Sequence, residues 1–516
     1  MQSKKYDGDI LMIGYGGVAR STLPLIYRHI DMPHERITVM DFAMNENDVR
    51  YVKEHGSNFV ANKVERHNLG QVLGNHVGPG DMVIDLAWNI GCDDILRWCH
   101  DRDVRYFNTS VEVWDPSKNA NAHPTKRTLY DRHMKMRAMM GDWNRGGWKG
   151  GPTAILDHGA NPGWVQHCTK QALDDIASRW TGETRNHDLH RDPLVGKKYD
   201  AVMDAYQRAH YHGEWALLAH ALGIKTIHVS ERDTQTTNRP KRLDEFVNTW
   251  SVEGFREEGT TGAEMGWGTH ERALPAGAHR HKSGPKNQIC LDNYGINTFV
   301  RTLVPRGHSV AGKADFEEIV GMVVRHGEAF SISENLTLTD EAGKVLYRPT
   351  VHYAYQPCDA ALASLHELKG RGYTVQSQQR IMFADEIQPR GQDIMGCLLM
   401  GHGYDSWWIG SLLGIEETKK LLPDMPDTNP TTLQVAASVL AGVRWAIDNP
   451  AAGVLLPDHL PHDKLLPEIK EYLGTFISEP AYWNPLQHTT PAQRRTLGVT
   501  MKDTWQFTTF QKRAFE

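Results

Sequence analysis

The sequence predicts an α/β protein: an N-terminal Rossmann-type parallel sheet followed by a second, α+β substrate domain. Three observations carry that prediction. A short apolar run, Ile10–Ile13, opens directly into the glycine turn Gly14-Tyr15-Gly16-Gly17-Val18-Ala19. Further short apolar runs then alternate with helical stretches through the first 160 or so residues, the pattern of a parallel sheet covered on both faces. Beyond Lys225 the strand candidates become longer and richer in β-branched residues, which suits a mixed or antiparallel sheet.

The elements follow in order. Ser21–His29 carries Leu and Ile at helical spacing, with Pro24 early enough to be tolerated. Ile37–Asp41 reads as a second strand ending in an acid, Asn58–Ala61 as a third, Met82–Leu86 as a fourth after the Gly78-Pro79-Gly80 turn, and Val104–Asn108 as a fifth. Asp115–Thr125, polar and with two prolines, reads as a loop. A helix bearing Met134, Met136, Met139 and Met140 follows, with the methionines as core filling. The glycine-rich Gly146–Gly151 then leads into a strand at Thr153–Asp157. Strands are further expected at Thr226–Ser230, Gly295–Val304, Val320–Ile332 and Arg380–Phe383, and a Gly/His-rich surface or lid loop at Gly254–Lys286. Thr431–Asp448 is helical by its period. The tail from Glu479 is expected to wrap the surface or a neighbouring subunit. The domains are expected to be 1–158, 159–430, and 431–516 as a helical return to the first domain plus the tail, a length of 516 residues being too great for one core.

Composition narrows the function. Lys and Arg number 57 against 63 Asp and Glu, a formal charge of −6 with no long block of one sign, so no basic stripe is present to neutralise a nucleic-acid backbone. The six cysteines lack CxxC spacing and read as reduced thiols of a cytoplasmic protein, not a disulfide framework or a metal site. No run is apolar and long enough for a signal peptide or membrane span.

The glycine turn has a mechanical reading. Gly14 permits a tight turn after the first strand, Gly16 lets backbone approach a pyrophosphate, and Ala19 takes the third small position, where helix and sheet pack closely. The N–H groups of the helix that follows face the anion, so Gly17 and Val18 belong to the same cradle. Asp41, at the end of the next strand, can accept from an adenosine ribose diol but repels a ribose phosphate, so the expected cofactor is NAD and not NADP. Asp85, Leu86 and Ala87 end the next strand beside the expected nicotinamide half, although Asp85 reads equally well as a turn cap. A glycine turn without this setting would be a structural feature only.

Five further segments bear a resemblance. Asn108-Thr109-Ser110-Val111-Glu112, Asp157-His158-Gly159-Ala160-Asn161-Pro162-Gly163, Ser230-Glu231-Arg232-Asp233-Thr234-Gln235, Asn248-Thr249-Trp250-Ser251 and Arg325-His326-Gly327-Glu328-Ala329 together resemble the bacterial homospermidine synthases, within the saccharopine dehydrogenase-like group. The resemblance spans most of residues 8–450. It implies binding of NAD and condensation of two putrescines into homospermidine with loss of ammonia, with spermidine as a further aminobutyl donor, in a homodimer. It implies hydride removal beside one amine, imine formation, attack by the second diamine, and return of the hydride.

The residues suit that chemistry. A dicationic diamine calls for separated carboxylates and an aromatic face, here Glu112, Glu231, Glu328 and Trp250. Glu231, His326 and Asn161 are the candidate catalytic residues, His326 because imidazole titrates near neutrality and Asn161 because its amide can orient an amine or the nicotinamide. Asn108 and Thr109 are added to the cofactor set on the resemblance. Each has a plainer alternative: Glu112 as a turn cap, Glu231 paired with Arg232, Glu328 on an exposed strand, Trp250 in a core or interface, Asn161 in an Asx turn. Asp157 and His158 are neighbours that adjacency does not make a dyad. The rival enzymes are a carboxyspermidine or carboxynorspermidine dehydrogenase and a saccharopine-type reductase, which must grip a carboxylate, with Arg232, Arg239 and Arg242 as candidates. A non-enzymatic NAD sensor is the rival from another class.

Overall fold

The computed structural model describes all residues except 44, 120, 142–149, 309–312, 424, 426 and 513–516. The sequence reading of Gly146–Gly151 therefore falls largely outside the described residues.

A seven-stranded, wholly parallel sheet forms the first half. Its order across the sheet is Asn58–Ala61, Ile37–Asp41, Ile10–Ile13, Met82–Asp85, Arg105–Asn108, Ala154–Ile155 and Val454–Leu455. The order reverses between Ile10–Ile13 and Met82–Asp85, the crevice where doubly wound sheets take their ligands. Ile10–Ile13 and Met82–Asp85 are buried at every position, as strands covered on both faces must be. The first helix, Gly17–His29, starts directly at the glycine turn.

The second half is built on an eleven-stranded mixed sheet. Its centre pairs Thr226–Asp233 in parallel with Thr350–Gln356 and antiparallel with Gln392–Met400. The buried helix Trp164–Asn186 packs on this sheet. The helix Pro430–Asp448 contacts both halves, packing on Gly17–His29 and touching Gln392–Met400. Ser21 hydroxyl bonds to Thr428 and Thr432 tie the two helix starts together. The predicted architecture, Rossmann-type sheet plus α+β unit, is the one observed.

Local expectations fail at three places. Val320–Ile332 is not one strand: the strand is Ala314–Met322, and Gly327 caps a helix Glu328–Asn335. The β-branched Ile319, Val320, Val323 and Val324 masked that break. Gly254–Lys286 is not a continuous loop, since it holds most of the helix Val252–Gly259 and the strands Gly262–Gly266 and Ala278–Arg280. Gly295 begins a 3-10 turn and the strand starts at Phe299. The tail folds back on its own chain: Thr475–Pro480 pairs with Ser406–Gly414, Gln511–Lys512 pairs with Phe299–His308, and Phe507 and Phe510 are buried between. All six cysteines are buried and free. Among the described residues, no helix is long and apolar enough to cross a membrane.

Candidate active site

The switch point opens into a cavity of about 960 Å³. Gly14, Gly16, Gly17, Val18, Ala19 and Asp41 line one end, while Glu112, Asn161, Glu231, Trp250 and His326 line the other. Two sets of residues, far apart in the chain, thus share one space.

At the glycine end, Gly14 adopts φ +88° and donates its N–H to Met40 O at 2.8 Å. A Cβ there would stand 2.9 Å from Ala87 Cα and N, so the turn needs glycine on both counts. Gly16 differs: a Cβ would meet nothing within 4 Å. Its lack of a side chain serves the open space and not the fold. Gly16 is also the helix cap, without a side-chain cap and with no acid in the first turn, so the helix dipole and free N–H groups are left for an anion. Asp41 Oδ2 accepts from Tyr15 N at 2.6 Å and Oδ1 from Ala43 N at 2.8 Å. These bonds fix the carboxylate and leave it lone pairs to spare. Phe42, 76% exposed, continues the wall beside it. A dinucleotide fits this cradle.

Leu86, Ala87 and Thr109 line the cavity, but Asp85 and Asn108 do not. Asp85 is buried, accepting from Ala87 N and from Tyr106 Oη at 2.8 Å, and burial pushes it up to about 6. Asn108 spans strands, donating to Tyr106 Oη and accepting from Asp157 N. Both sit behind the wall and hold its backbone.

At the other end Glu231 projects from Thr226–Asp233, 2% exposed. Burial pushes its carboxyl up to about 8, against the pull of a Tyr353 hydroxyl bond at 2.5 Å. Asn161 Nδ2 lies 3.4 Å from the same Oε2. His326 sits between Glu258 (Nε2–Oε2 3.1 Å) and Glu328 (Nδ1–Oε2 3.3 Å), close enough to ion-pair but off the line of a hydrogen bond. Burial opposes charging the imidazole, yet the two acids hold it well above its ordinary range. Glu328 is fully buried behind His326, off the cavity wall. Its carboxylate meets the imidazole that lines the cavity.

Glu112 lines the cavity with Oε1 accepting from Ser110 at 3.0 Å and Oε2 buried without a hydrogen bond. Burial pushes it up to about 7, with Glu257 raising it further and Arg132 opposing. Trp250 lines the wall and donates to Tyr355 Oη at 3.3 Å. Asp157 pairs with buried His133 at 2.7 Å, whereas His158 turns to His167 at 3.0 Å; the neighbours form no dyad. Sequence reasoning missed Glu258, Tyr353, Thr431 and Thr432 on the wall. Glu258 lay in the segment read as a loop, and Tyr353 in a strand whose partner is 120 residues away.

A Rossmann crevice opposed by a large mixed sheet that carries buried acids defines a saccharopine dehydrogenase-like protein. Residues 10–155 match the model of the saccharopine dehydrogenase NADP binding domain, and residues 159–475 that of its C-terminal domain. The chain belongs to the homospermidine synthase family: it is 38% identical over 514 residues to the homospermidine synthase of Blastochloris viridis, covering 98% of this chain and 97% of that one. It is 35% identical over 509 residues to that of Mesorhizobium japonicum, covering 97% and 95%. The solved homospermidine synthase of Legionella pneumophila in complex with NAD superposes with a TM-score of 0.80 at 31% identity, covering 99% of both chains.

Proposed function

We propose that this chain is an NAD-dependent homospermidine synthase, joining two putrescines with release of ammonia and accepting spermidine as a further aminobutyl donor. One observation carries the reading: the glycine turn with Asp41 and the acids with Trp250 line a single cavity. Gly14, Gly16, Gly17, Val18, Ala19, Asp41, Leu86, Ala87, Thr109 and Asn161 hold the dinucleotide. Asp41 selects NAD over its phosphorylated relative, despite the matched domain's NADP description. Bound there, NAD would supply the hydride chemistry, oxidation of the amine-bearing carbon and its later reduction.

The chain's own groups do the rest. Glu231 takes a proton from the donor ammonium and returns one to the departing nitrogen. Trp250 offers its face to the cation, and Glu112 and the Glu258–His326–Glu328 series balance charge along the wall. Burial limits water, so the imine is not lost as an aldehyde. Arg232 is engaged by Glu317, and none of Arg232, Arg239 and Arg242 lines the cavity. That disfavours an enzyme that must grip an amino-acid carboxylate. The free buried thiols suit a reducing cytoplasm, and the family resemblance supports a homodimer.

Incubation with isotope-labelled putrescine and catalytic NAD tests the proposal by mass spectrometry. Labelled homospermidine and ammonia are expected without net NADH. Absence of homospermidine across pH and NAD concentrations sinks the assignment, and consumption of NADPH with an aldehyde and a carboxylated diamine installs the dehydrogenase in its place.

A further inference from the structure

Glu231 is held from a neighbouring strand by a residue outside every motif considered above. Thr226–Asp233 and Thr350–Gln356 run parallel, with Tyr353 opposite Val229 and Tyr355 opposite Glu231. In-register partners two residues apart share one face of a sheet, so both tyrosines lie on the Glu231 face. The Tyr353 hydroxyl donates to Glu231 Oε2 at 2.5 Å. Its ring stacks on Tyr355, with centroids 5.2 Å apart and planes 11° apart, and meets the His326 ring at 4.3 Å. Tyr355 Oη in turn accepts from the Trp250 indole. Tyr353 is 3% exposed and its side chain lines the cavity.

A phenylalanine would supply the same stacking. The hydroxyl adds one short bond to a buried carboxyl that, among the described residues, has no basic side chain within ion-pair distance. The geometry points to Tyr353 as a positioning residue of the reaction: its hydroxyl favours the carboxylate form of Glu231 against burial and aims it into the cavity, to take the proton from the diamine ammonium. This inference rests on the reaction proposed above. The proton balance closes over the whole reaction: the donor ammonium N–H bond breaks as the Glu231 O–H bond forms and that proton leaves with ammonia as ammonium, while the proton the second diamine gives up to become a neutral nucleophile is regained by the secondary amine of the product.

The groups facing Glu231 are few. Asp233 lies on its own strand, Asp393 on Gln392–Met400, Tyr353 and Tyr355 on the parallel neighbour, and His326 and Glu258 on the segments across the cavity. Burial raises the carboxyl most, and Asp233 and Glu258 raise it further. Among the influences that favour the ionised form, the Tyr353 bond outweighs His326. Asp393 is itself held well above the carboxylate range by burial, Glu231 and Asp233.

The test compares wild type, Tyr353→Phe, and protein with 3-fluorotyrosine placed at 353 alone. Three quantities are read: the pH profile of homospermidine formation, NAD binding by fluorescence, and the infrared titration of the buried carboxyl, assigned with Glu231→Gln. In Tyr353→Phe the carboxyl midpoint and the acid limb of the profile are expected to rise by about one pH unit, a tenfold loss of rate on that limb, with NAD binding intact. The fluorinated ring, a stronger donor of the same shape, is expected to move both down. Unmoved midpoints in both proteins, with a Tyr353→Phe loss equal at every pH, overturn the inference and leave a packing role. If Tyr353→Phe fails to fold, the fluorinated protein decides alone. If wild type forms no homospermidine, the proposed reaction fails, while the infrared midpoints still decide what Tyr353 does.

Discussion

Two glycines two residues apart are predicted to fail in opposite ways. Gly14→Ala places a Cβ 2.9 Å from Ala87 Cα and N and from Leu86 C, on backbone with φ +88°. The left-handed conformation costs an L-residue about 1–2 kcal/mol and forced overpacking about 1–3 kcal/mol, so the loss of stability is about 2–5 kcal/mol. Gly16→Ala meets nothing within 4 Å on extended backbone, φ −81° and ψ −168°. Its stability should stay within about 0.5 kcal/mol of wild type, as for surface changes. Its new methyl group instead occupies the space where a pyrophosphate approaches, and a loss of about 1.4 kcal/mol there is a tenfold weaker affinity for NAD. Urea unfolding and NAD titration of both variants provide the assay. A Gly16→Ala protein that binds NAD like wild type refutes the cradle, and a Gly14→Ala protein as stable as wild type refutes the packing argument.

Glu231→Gln should lose diamine turnover by roughly 10²–10⁴-fold while still binding NAD; unchanged turnover removes Glu231 from the reaction. The folded carboxyl is raised from 4.5 to about 8, so it is the unfolded chain that releases this proton first. Its contribution to stability is full below about pH 4.5 and is lost as pH rises through about 8, by about 1.4 kcal/mol per pH unit. Denaturant titrations from pH 5 to 8 should show that slope flattened in Glu231→Gln. Asp41→Asn should weaken NAD and strengthen NADP binding, moving the ratio of the two affinities by about tenfold or more, given about 1.5–3 kcal/mol for a charged hydrogen bond; an unmoved ratio would show that selection lies elsewhere. Trp250→Leu should raise KM for putrescine by about 2–30-fold, the worth of about 0.5–2 kcal/mol of cation–π attraction, as steady-state kinetics will report.

The parts of this site legible in the sequence are those whose physics is local. The Gly14–Ala19 turn and Asp41 declare themselves because a tight turn, a helix start and a strand-end acid each have a short-range signature. Glu231 and Trp250 were reached through motif resemblance, since nothing in the local pattern separates a buried catalytic acid from a surface one. The helix that carries Glu328 was hidden because Val323 and Val324 extend the strand pattern almost to Gly327, which caps the helix start and sets the carboxyl beside His326. Tyr353 and Glu258 were illegible because their meaning arises from pairing across 122 residues in one case and from a helix hidden in a glycine-rich stretch in the other. The two-residue strand Val454–Leu455, which completes the first sheet from the far end of the chain, is too short to carry any period.

The central claim is that one bound NAD lends a hydride and receives it back at the same carbon. Putrescine deuterated at both amine-bearing carbons, supplied as the sole diamine with substoichiometric NAD, tests it through the mass of the product. Homospermidine that retains every deuterium of its two precursors, with no NADH left behind, is the result predicted. Homospermidine short of one deuterium, or formed only when NADH is added, contradicts internal return of the hydride.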